Sequence, residues 1–152
     1  MRTALLLILL ASSLAGCGPK HVTMKALNEF PEPLVEPLPV SVGVYFPPEF
    51  ASFTHKEKRP GPAEQEWTIN LGAPQLQVFR AILGASFSGL RELDAPDAGD
   101  GALGAIIVPS VKDFQFALPD DTRAKVFEIW VKYDLSIRDP QGEEIGHWAF
   151  TA

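Results

Sequence analysis

The sequence predicts an α+β domain in which an antiparallel sheet of about four to five strands carries one main helix packed on one face. Three observations support this. Several segments alternate apolar and polar residues, one segment spaces apolar residues three or four apart, and proline and glycine separate these segments. The 152 residues suffice for one domain, and 46% hydrophobic with 21% charged residues is an ordinary globular composition.

The charge balance argues against a nucleic-acid partner. Lys and Arg number 13 and Asp and Glu number 19, which gives a formal net charge of -6. Binding to phosphates needs basic surface, and this chain is acidic. Its single cysteine also excludes an internal disulfide.

The N-terminus has the layout of an export signal. Arg2 precedes an uninterrupted apolar run over residues 4–11, and small residues follow up to Cys17. The run is shorter than the about 20 apolar residues that a membrane span needs. This layout predicts a secretory signal peptide over residues 1–16, which takes no part in the fold.

The end of this signal, Leu14-Ala15-Gly16-Cys17, resembles the lipobox of bacterial lipoproteins. The resemblance implies cleavage between Gly16 and Cys17, a diacylglyceryl group on the Cys17 thiol, and a fatty acyl group such as palmitate on the new amino terminus. In this class of lipoproteins, Asp directly after the lipidated cysteine favours retention in the inner membrane. Residue 18 is Gly, so the resemblance implies an outer-membrane protein that faces the periplasm. The alternative is that Cys17 is only a small residue near a conventional cleavage site.

Residues 17–39 are predicted to be a lipidated, Pro-rich tether, because five prolines among them favour extended backbone. The apolar residues of this tether either pack on the domain or bind a partner. Residues 40–152 form the predicted single domain. The chain stops at Ala152 within an apolar strand, which leaves open a truncated C-terminus.

The first half of the domain is predicted to contain two strands and the helix. Residues 40–46 and 66–71 alternate as strands do, with a long loop at 49–63 between them. The helix opens at Pro74, a residue suited to a first helical turn. Its apolar stripe consists of Leu76, Phe79, Leu83, Phe87 and Leu90.

The second half is predicted to contain a loop and three strands. Residues 94–104 are acidic and Gly-rich, residues 105–116 form a strand with a bulge or an edge at Pro109, and residues 124–138 form the longest strand. Alternate residues of this strand from Phe127 to Ile137 form one apolar face. The residues expected to be buried between helix and sheet are Leu83, Phe87, Ile129, Val131 and Leu135. Residues 145–151 return antiparallel after a turn. A bulged turn places Leu135 opposite His147, a tight turn places Asp134 opposite His147, and this choice decides the face on which Trp148 lies.

The order of these elements resembles the small periplasmic domains of outer-membrane accessory lipoproteins. The resemblance covers residues 40–152 and is closest to lipopolysaccharide-assembly and transport-auxiliary lipoproteins. It implies an accessory beside an envelope machine.

The sequence does not assemble the groups that catalysis needs. His21, His55 and His147 lie far apart without the spacing of metal ligands, and neither a Gly-x-Ser-x-Gly elbow nor a phosphate loop is present. The protein is therefore expected to be non-catalytic, with no metal and no cofactor.

Two classes of function fit these observations. The first is a lipid-anchored accessory that docks a partner envelope protein through Phe46, Phe50 and Phe53, since aromatic residues are frequent at binding hot spots. Alternatively, these three rings cap the core. The second class is a lipid or glycan carrier that uses Trp67, Trp130, Trp148, Phe114 and Phe116. An apolar cavity favours the carrier, and a shallow surface with an exposed strand edge favours the accessory.

Overall fold

The computed structural model describes residues 20–25, 33–60 and 65–152. The predicted signal peptide and lipidation site, including Gly16 and Cys17, lie outside them. The elements, in chain order, are β1 (Lys20–Lys25), β2 (Leu38–Val44), α1 (Pro48–Ala51), β3 (Thr54–Arg59), β4 (Gln65–Asn70), α2 (Gly72–Ser86), β5 (Phe87–Glu92), β6 (Ala105–Ala117), β7 (Glu128–Arg138) and β8 (Glu144–Thr151).

The strands form two sheets, and both sheets are mixed. The larger sheet has the order β5-β2-β6-β7-β8, and the smaller has the order β1-β4-β3. β2 is parallel to both β5 and β6, and β1 is parallel to β4, whereas the other pairs are antiparallel. The α+β class is confirmed, but the prediction of one antiparallel sheet is wrong. Parallel neighbours need long crossovers, and α2 lies in the crossover from β2 to β5.

The region between β2 and β4 differs most from expectation. The predicted loop at 49–63 instead contains α1 and β3. β3 was missed because its sequence, THKEKR, has no apolar alternation. One face of β3 nevertheless covers the core: the ring centroids of His55 and Phe114 lie 4.3 Å apart, and the guanidinium of Arg59 lies 5.9 Å from the centroid of the Phe116 ring. Long charged side chains often cover apolar surface in this way.

The predicted tether also contains a strand. Lys20–Lys25 forms β1 and pairs along its whole length with β4, so this part of the 17–39 segment joins the small sheet rather than extending as a spacer. Residues 33–37 are irregular, and Leu34 and Val35 are exposed there. The described part of the tether therefore consists of one strand of the small sheet and the residues that lead into β2.

The helix begins at Gly72, where it passes very close to α1. A Cβ atom on Gly72 would overlap the backbone carbonyl oxygen of Ala51, so only glycine fits. The helix ends at Ser86, because Phe87 adopts extended backbone and opens β5. Phe87 and Leu90 thus belong to a strand and not to the predicted helical stripe. Neither helix in the described residues is long and apolar enough to cross a membrane.

The core lies between the larger sheet and a cover formed by α2 together with the small sheet. Leu83 of α2 packs here with Val131 and Leu135 of β7, and all three are buried as predicted, whereas Phe87 and Ile129 are half-buried. β7 begins at Glu128 rather than at residue 124, so β6 is the longer of the two strands. Aromatic rings dominate this core, with Phe50, Phe79 and Tyr133 in mutual contact.

Pro109 lies in β6 at the point where pairing with β2 stops. The amide of Tyr45 donates to the carbonyl of Ile107 at 3.0 Å, and the next donor in this ladder would be the N–H of residue 109. Because proline has no N–H, the ladder ends there. The sequence-based expectation of an edge at Pro109 is therefore confirmed on the β2 side, while β7 pairs on the other side.

The last hairpin has a register that neither sequence-based alternative contains. The amide of Asp139 donates to the carbonyl of Glu143 at 2.9 Å, as in the bulged turn. A second irregularity at residue 145 then shifts the pairing by one residue, so Leu135 lies opposite Trp148 and Ser136 opposite His147. Trp148 consequently shares the inner face of the sheet with Leu135.

Candidate functional site

The three aromatic residues predicted to dock a partner pack into the domain. Phe50 is only 1% exposed and contacts Phe79 and Tyr133, with ring centroids at 5.2 Å and 6.1 Å. Phe46 stacks on Phe50 at 5.9 Å, and Phe53 lies 5.8 Å from Phe114. Phe46 and Phe53 are half-buried. This burial supports the alternative interpretation, in which the rings cap the core.

The three histidines stay apart, each on a different strand. His21 Nδ1 lies 3.4 Å from Glu66, and His55 Nε2 lies 3.5 Å from Glu57. His147 is exposed on the outer face of the larger sheet, opposite Ser136. Within residues 20–25, 33–60 and 65–152, no three His, Cys, Asp or Glu side chains come together as metal ligands would.

The aromatic residues proposed for a carrier divide among three places. Trp67 and Phe116 lie in the core, with their ring centroids 5.4 Å apart. Trp130 is 41% exposed on the outer face of the larger sheet. Trp148 is 61% exposed on the inner face, where it contacts Phe150 at 5.2 Å. Only Trp148 of this group lines a substantial apolar space.

That space is a cleft of about 420 Å³ between α2 and the larger sheet. We call it the α2–β8 cleft. The helix side consists of Val78, Phe79, Ile82, Leu83 and Ser86, with Phe87 following it, and the sheet side consists of Ile107, Tyr133, Leu135, Ile137, Trp148 and Phe150, with Ala152 at the end. Ile82 is 48% exposed and Trp148 is 61% exposed, so the cleft opens to solvent between these two side chains.

The cleft exists because α2 covers only part of the sheet. The helix leads directly into β5, at the opposite edge of the sheet from β8, and its buried Gln75 and Phe79 contact Tyr133 of β7. Toward β8, the Phe79 ring lies 6.5 Å from that of Phe150, and Trp148 stays exposed. The shifted register of the last hairpin then turns Trp148 and Phe150 toward the helix rather than to the outer face.

The cleft offers almost no hydrogen-bonding groups. The Tyr133 hydroxyl donates to Gln75 Oε1 at 3.4 Å, and Gln75 Nε2 in turn donates to the backbone carbonyl of Phe50. Burial raises the pKa of Tyr133 to about 12, so the phenol stays neutral at any physiological pH. Only the Ser86 hydroxyl remains, and a cleft with this lining suits hydrocarbon.

A second, shallow groove lies on the outer face of the larger sheet. It has a volume of about 340 Å³ and is lined by Asp113, Gln115, Trp130, Lys132 and Thr151. These residues form cross-strand pairs, with Gln115 opposite Trp130 and Asp113 opposite Lys132. We call this the Trp130 groove. Its lining is polar and solvated apart from the indole.

Sequence analysis selected Trp148 as a ligand-binding residue and assigned Phe79, Leu83, Phe87 and Leu135 to the stripe or the core, but it did not predict a cleft among them. Ile82 lies on α2 outside the predicted apolar stripe, and the structure shows it exposed. An apolar residue outside the stripe is the one signal in the sequence that could have indicated a cleft on this side of the helix. Ile137 belongs to the apolar face that the alternation of β7 predicts, whereas Phe150 could be placed on the inner face only after the hairpin register was known. The cleft is thus a product of the register and of the helix position.

Comparisons with known proteins leave the function open. No protein-family model matches the chain. A search of the curated proteins finds no match. Among solved structures, the chain is similar to protein XCC0632 from Xanthomonas campestris, described as DUF330, with 9% identity and a TM-score of 0.48. The similarity covers 86% of this chain and 76% of that one, and at this level it carries no argument about activity.

Proposed function

We propose that this protein is a lipid-anchored, non-catalytic binding protein of the bacterial envelope, which holds the acyl chain of a lipid in the α2–β8 cleft. The observation that carries the proposal is the cleft itself, with its apolar lining and its opening between Ile82 and Trp148. The lipobox at Leu14-Ala15-Gly16-Cys17 supports the envelope location, with an anchor in the outer membrane and the domain in the periplasm.

Hydrocarbon fits this cleft better than a polar ligand does. Burial of each methylene contributes about 0.8 kcal/mol, so a saturated chain can bind without any hydrogen bond. A sugar or a peptide would instead leave its polar groups unpaired against the lining, at a cost of about 1–3 kcal/mol each. The headgroup of the lipid would stay in water at the mouth of the cleft.

The substitution Ile82→Asp tests acyl binding. A carboxylate at the mouth should lower the affinity for a dansyl-labelled fatty acid by tenfold or more. The bound acyl chain would displace water from the charged group, and removing water from an unpaired charge is costly. Ile82 is 48% exposed, so the fold should tolerate the change. Fluorescence titration of the full chain carrying Cys17→Ser, which avoids detergent, measures the affinity.

Ala81→Asp is the matched control, because Ala81 is the preceding residue of α2, is exposed, and lies outside the cleft. It adds the same charge to the same helix and should leave the affinity unchanged. Equal losses in both variants, or no binding of the fatty acid by the parent chain, would contradict the proposal.

The accessory role, in which a partner envelope protein docks on the domain, is the second candidate. The Trp130 groove favours it, because an indole ringed by polar side chains has the composition of an interface hot spot. Trp130→Ser should reduce the recovery of a partner cross-linked in cells. Val126→Ser serves as the control, since Val126 is exposed outside the groove, and equal recovery from both variants would reject this role.

A further inference from the structure

The four sheet edges in the described residues are protected to different degrees. β3 carries His55, Lys56, Glu57, Lys58 and Arg59, and β5 ends in Arg91 and Glu92, both in ion pairs. β1 carries a lysine at each end. β8 differs, because residues 145–151 contain no Lys, Arg, Asp, Glu or Pro. In natural sheets, charged residues or proline usually prevent an edge strand of this length from pairing with another strand.

The hydrogen-bond pattern shows which backbone groups of β8 point away from the sheet. Ala152 and Val131 exchange both of their backbone hydrogen bonds, at 2.9 Å and 3.0 Å. In an antiparallel pair this orientation alternates along the strand. The N–H and C=O groups of His147, Ala149 and Thr151 therefore point to the open edge, where the described part of the chain provides no strand to pair with them.

Apolar side chains border the same edge. Trp148 is 61% exposed on the inner face of β8, and Ile82 is 48% exposed across the mouth of the cleft. An added strand beside β8 would cover the indole and satisfy the outward backbone groups together. The edge and the apolar side chains thus form one continuous surface, which we call the β8 edge.

We infer that the β8 edge pairs with the β8 edge of a second copy of this chain, antiparallel and about a two-fold axis perpendicular to the sheet. Such an axis keeps the inner faces of both sheets on the same side, so Trp148 of each copy lies beside the other copy's inner face. The two five-stranded sheets become one continuous sheet of ten strands.

The charges on the strand favour a second copy as the occupant. The whole chain has a formal net charge of -6, which generally opposes self-association. Residues 145–151 are uncharged, however, so antiparallel pairing brings no like charges face to face. The β3 edge differs, because antiparallel self-pairing there would bring Lys56, Lys58 and Arg59 of the two copies close together.

Ala149→Pro tests this interface in the full chain, extracted in mild detergent and examined by size-exclusion chromatography with light scattering. Proline removes the outward N–H of residue 149 and leaves the pairing with β7 intact. Since both copies lose a hydrogen bond, dimerisation should weaken by about tenfold or more. The parent chain and the control Ala149→Val, which keeps the N–H, should remain dimeric.

Cysteine cross-linking in membranes provides a second measurement that does not depend on how proline affects folding. Cys17 is the only native cysteine, so single substitutions His147→Cys, Ala149→Cys and Thr151→Cys report on β8 alone. At least one should form a disulfide-linked dimer under oxidising conditions. Lys56→Cys on the charged β3 edge, and the parent chain, should not.

A parent chain that is monomeric at every concentration tested would overturn the inference. So would a β8 cysteine that cross-links only to a different protein, or equal cross-linking from β3 and β8. These results can be distinguished from those of the fatty-acid titration, because residues 147, 149 and 151 do not line the α2–β8 cleft and the titration varies Ile82 alone.

Discussion

Phe50→Ala is expected to destabilise the domain by about 3–5 kcal/mol, which is the range for removing a buried aromatic ring. Phe50 is 1% exposed and lies among Phe46, Phe79 and Tyr133. Its removal leaves a cavity that these rigid rings cannot close. A single domain is stable by about 5–15 kcal/mol, so the loss would be a large share of the total.

Urea unfolding of the soluble Cys17→Ser chain measures this loss. Phe127→Ala is the matched control, since Phe127 is 47% exposed and its ring contacts a separate aromatic group formed by Trp67 and Phe116. Its cost should be about 1 kcal/mol. Equal costs for the two variants would mean that Phe50 is not part of the core, and would return it to consideration as a docking residue.

Cys17→Ser is expected to abolish lipid labelling and to move the protein from the membrane fraction to the soluble fraction. The resemblance of Leu14-Ala15-Gly16-Cys17 to a lipobox assigns the lipid to this thiol, and serine cannot form the thioether. Stable anchoring needs more than one acyl chain, and the predicted modification supplies them all at a single terminus. The loss should therefore be nearly complete rather than partial.

Metabolic labelling with a palmitate analogue, followed by membrane fractionation, measures both effects. Ser13→Ala, which leaves all four lipobox residues in place, is the control and should label as the parent does. A Cys17→Ser chain that stays in the membrane with undiminished label would show that another group holds the protein there. That result would also remove the lipobox as support for the proposed envelope location.

Local patterns in the sequence were sufficient for the elements that pack on their nearest neighbours. The alternation of Val131, Tyr133 and Leu135 predicted the buried face of β7, and the spacing of Phe79 and Leu83 predicted the buried side of α2. Such patterns are reliable because the period of a strand or a helix fixes which residues share a face. The α+β class follows from these same two periods.

The sequence alone could not place β3, because THKEKR carries no apolar alternation and becomes a strand only by pairing with β4. Nor could it show that β2 lies parallel to β5 and β6, since the direction of pairing depends on distant crossovers.

The candidate site depended most on tertiary structure. A one-residue irregularity at position 145 decides that Trp148 and Phe150 face α2, and the position of the helix decides that a cleft remains beside them. The sequence by itself was sufficient for the main helix and for Leu83, Val131 and Leu135 of the core, because these depend on neighbouring residues, and the export signal over residues 1–16 stays a prediction from the sequence. The register, the cleft and the open β8 edge were decided by the tertiary structure, because a shift of one residue reverses the face on which every following side chain lies.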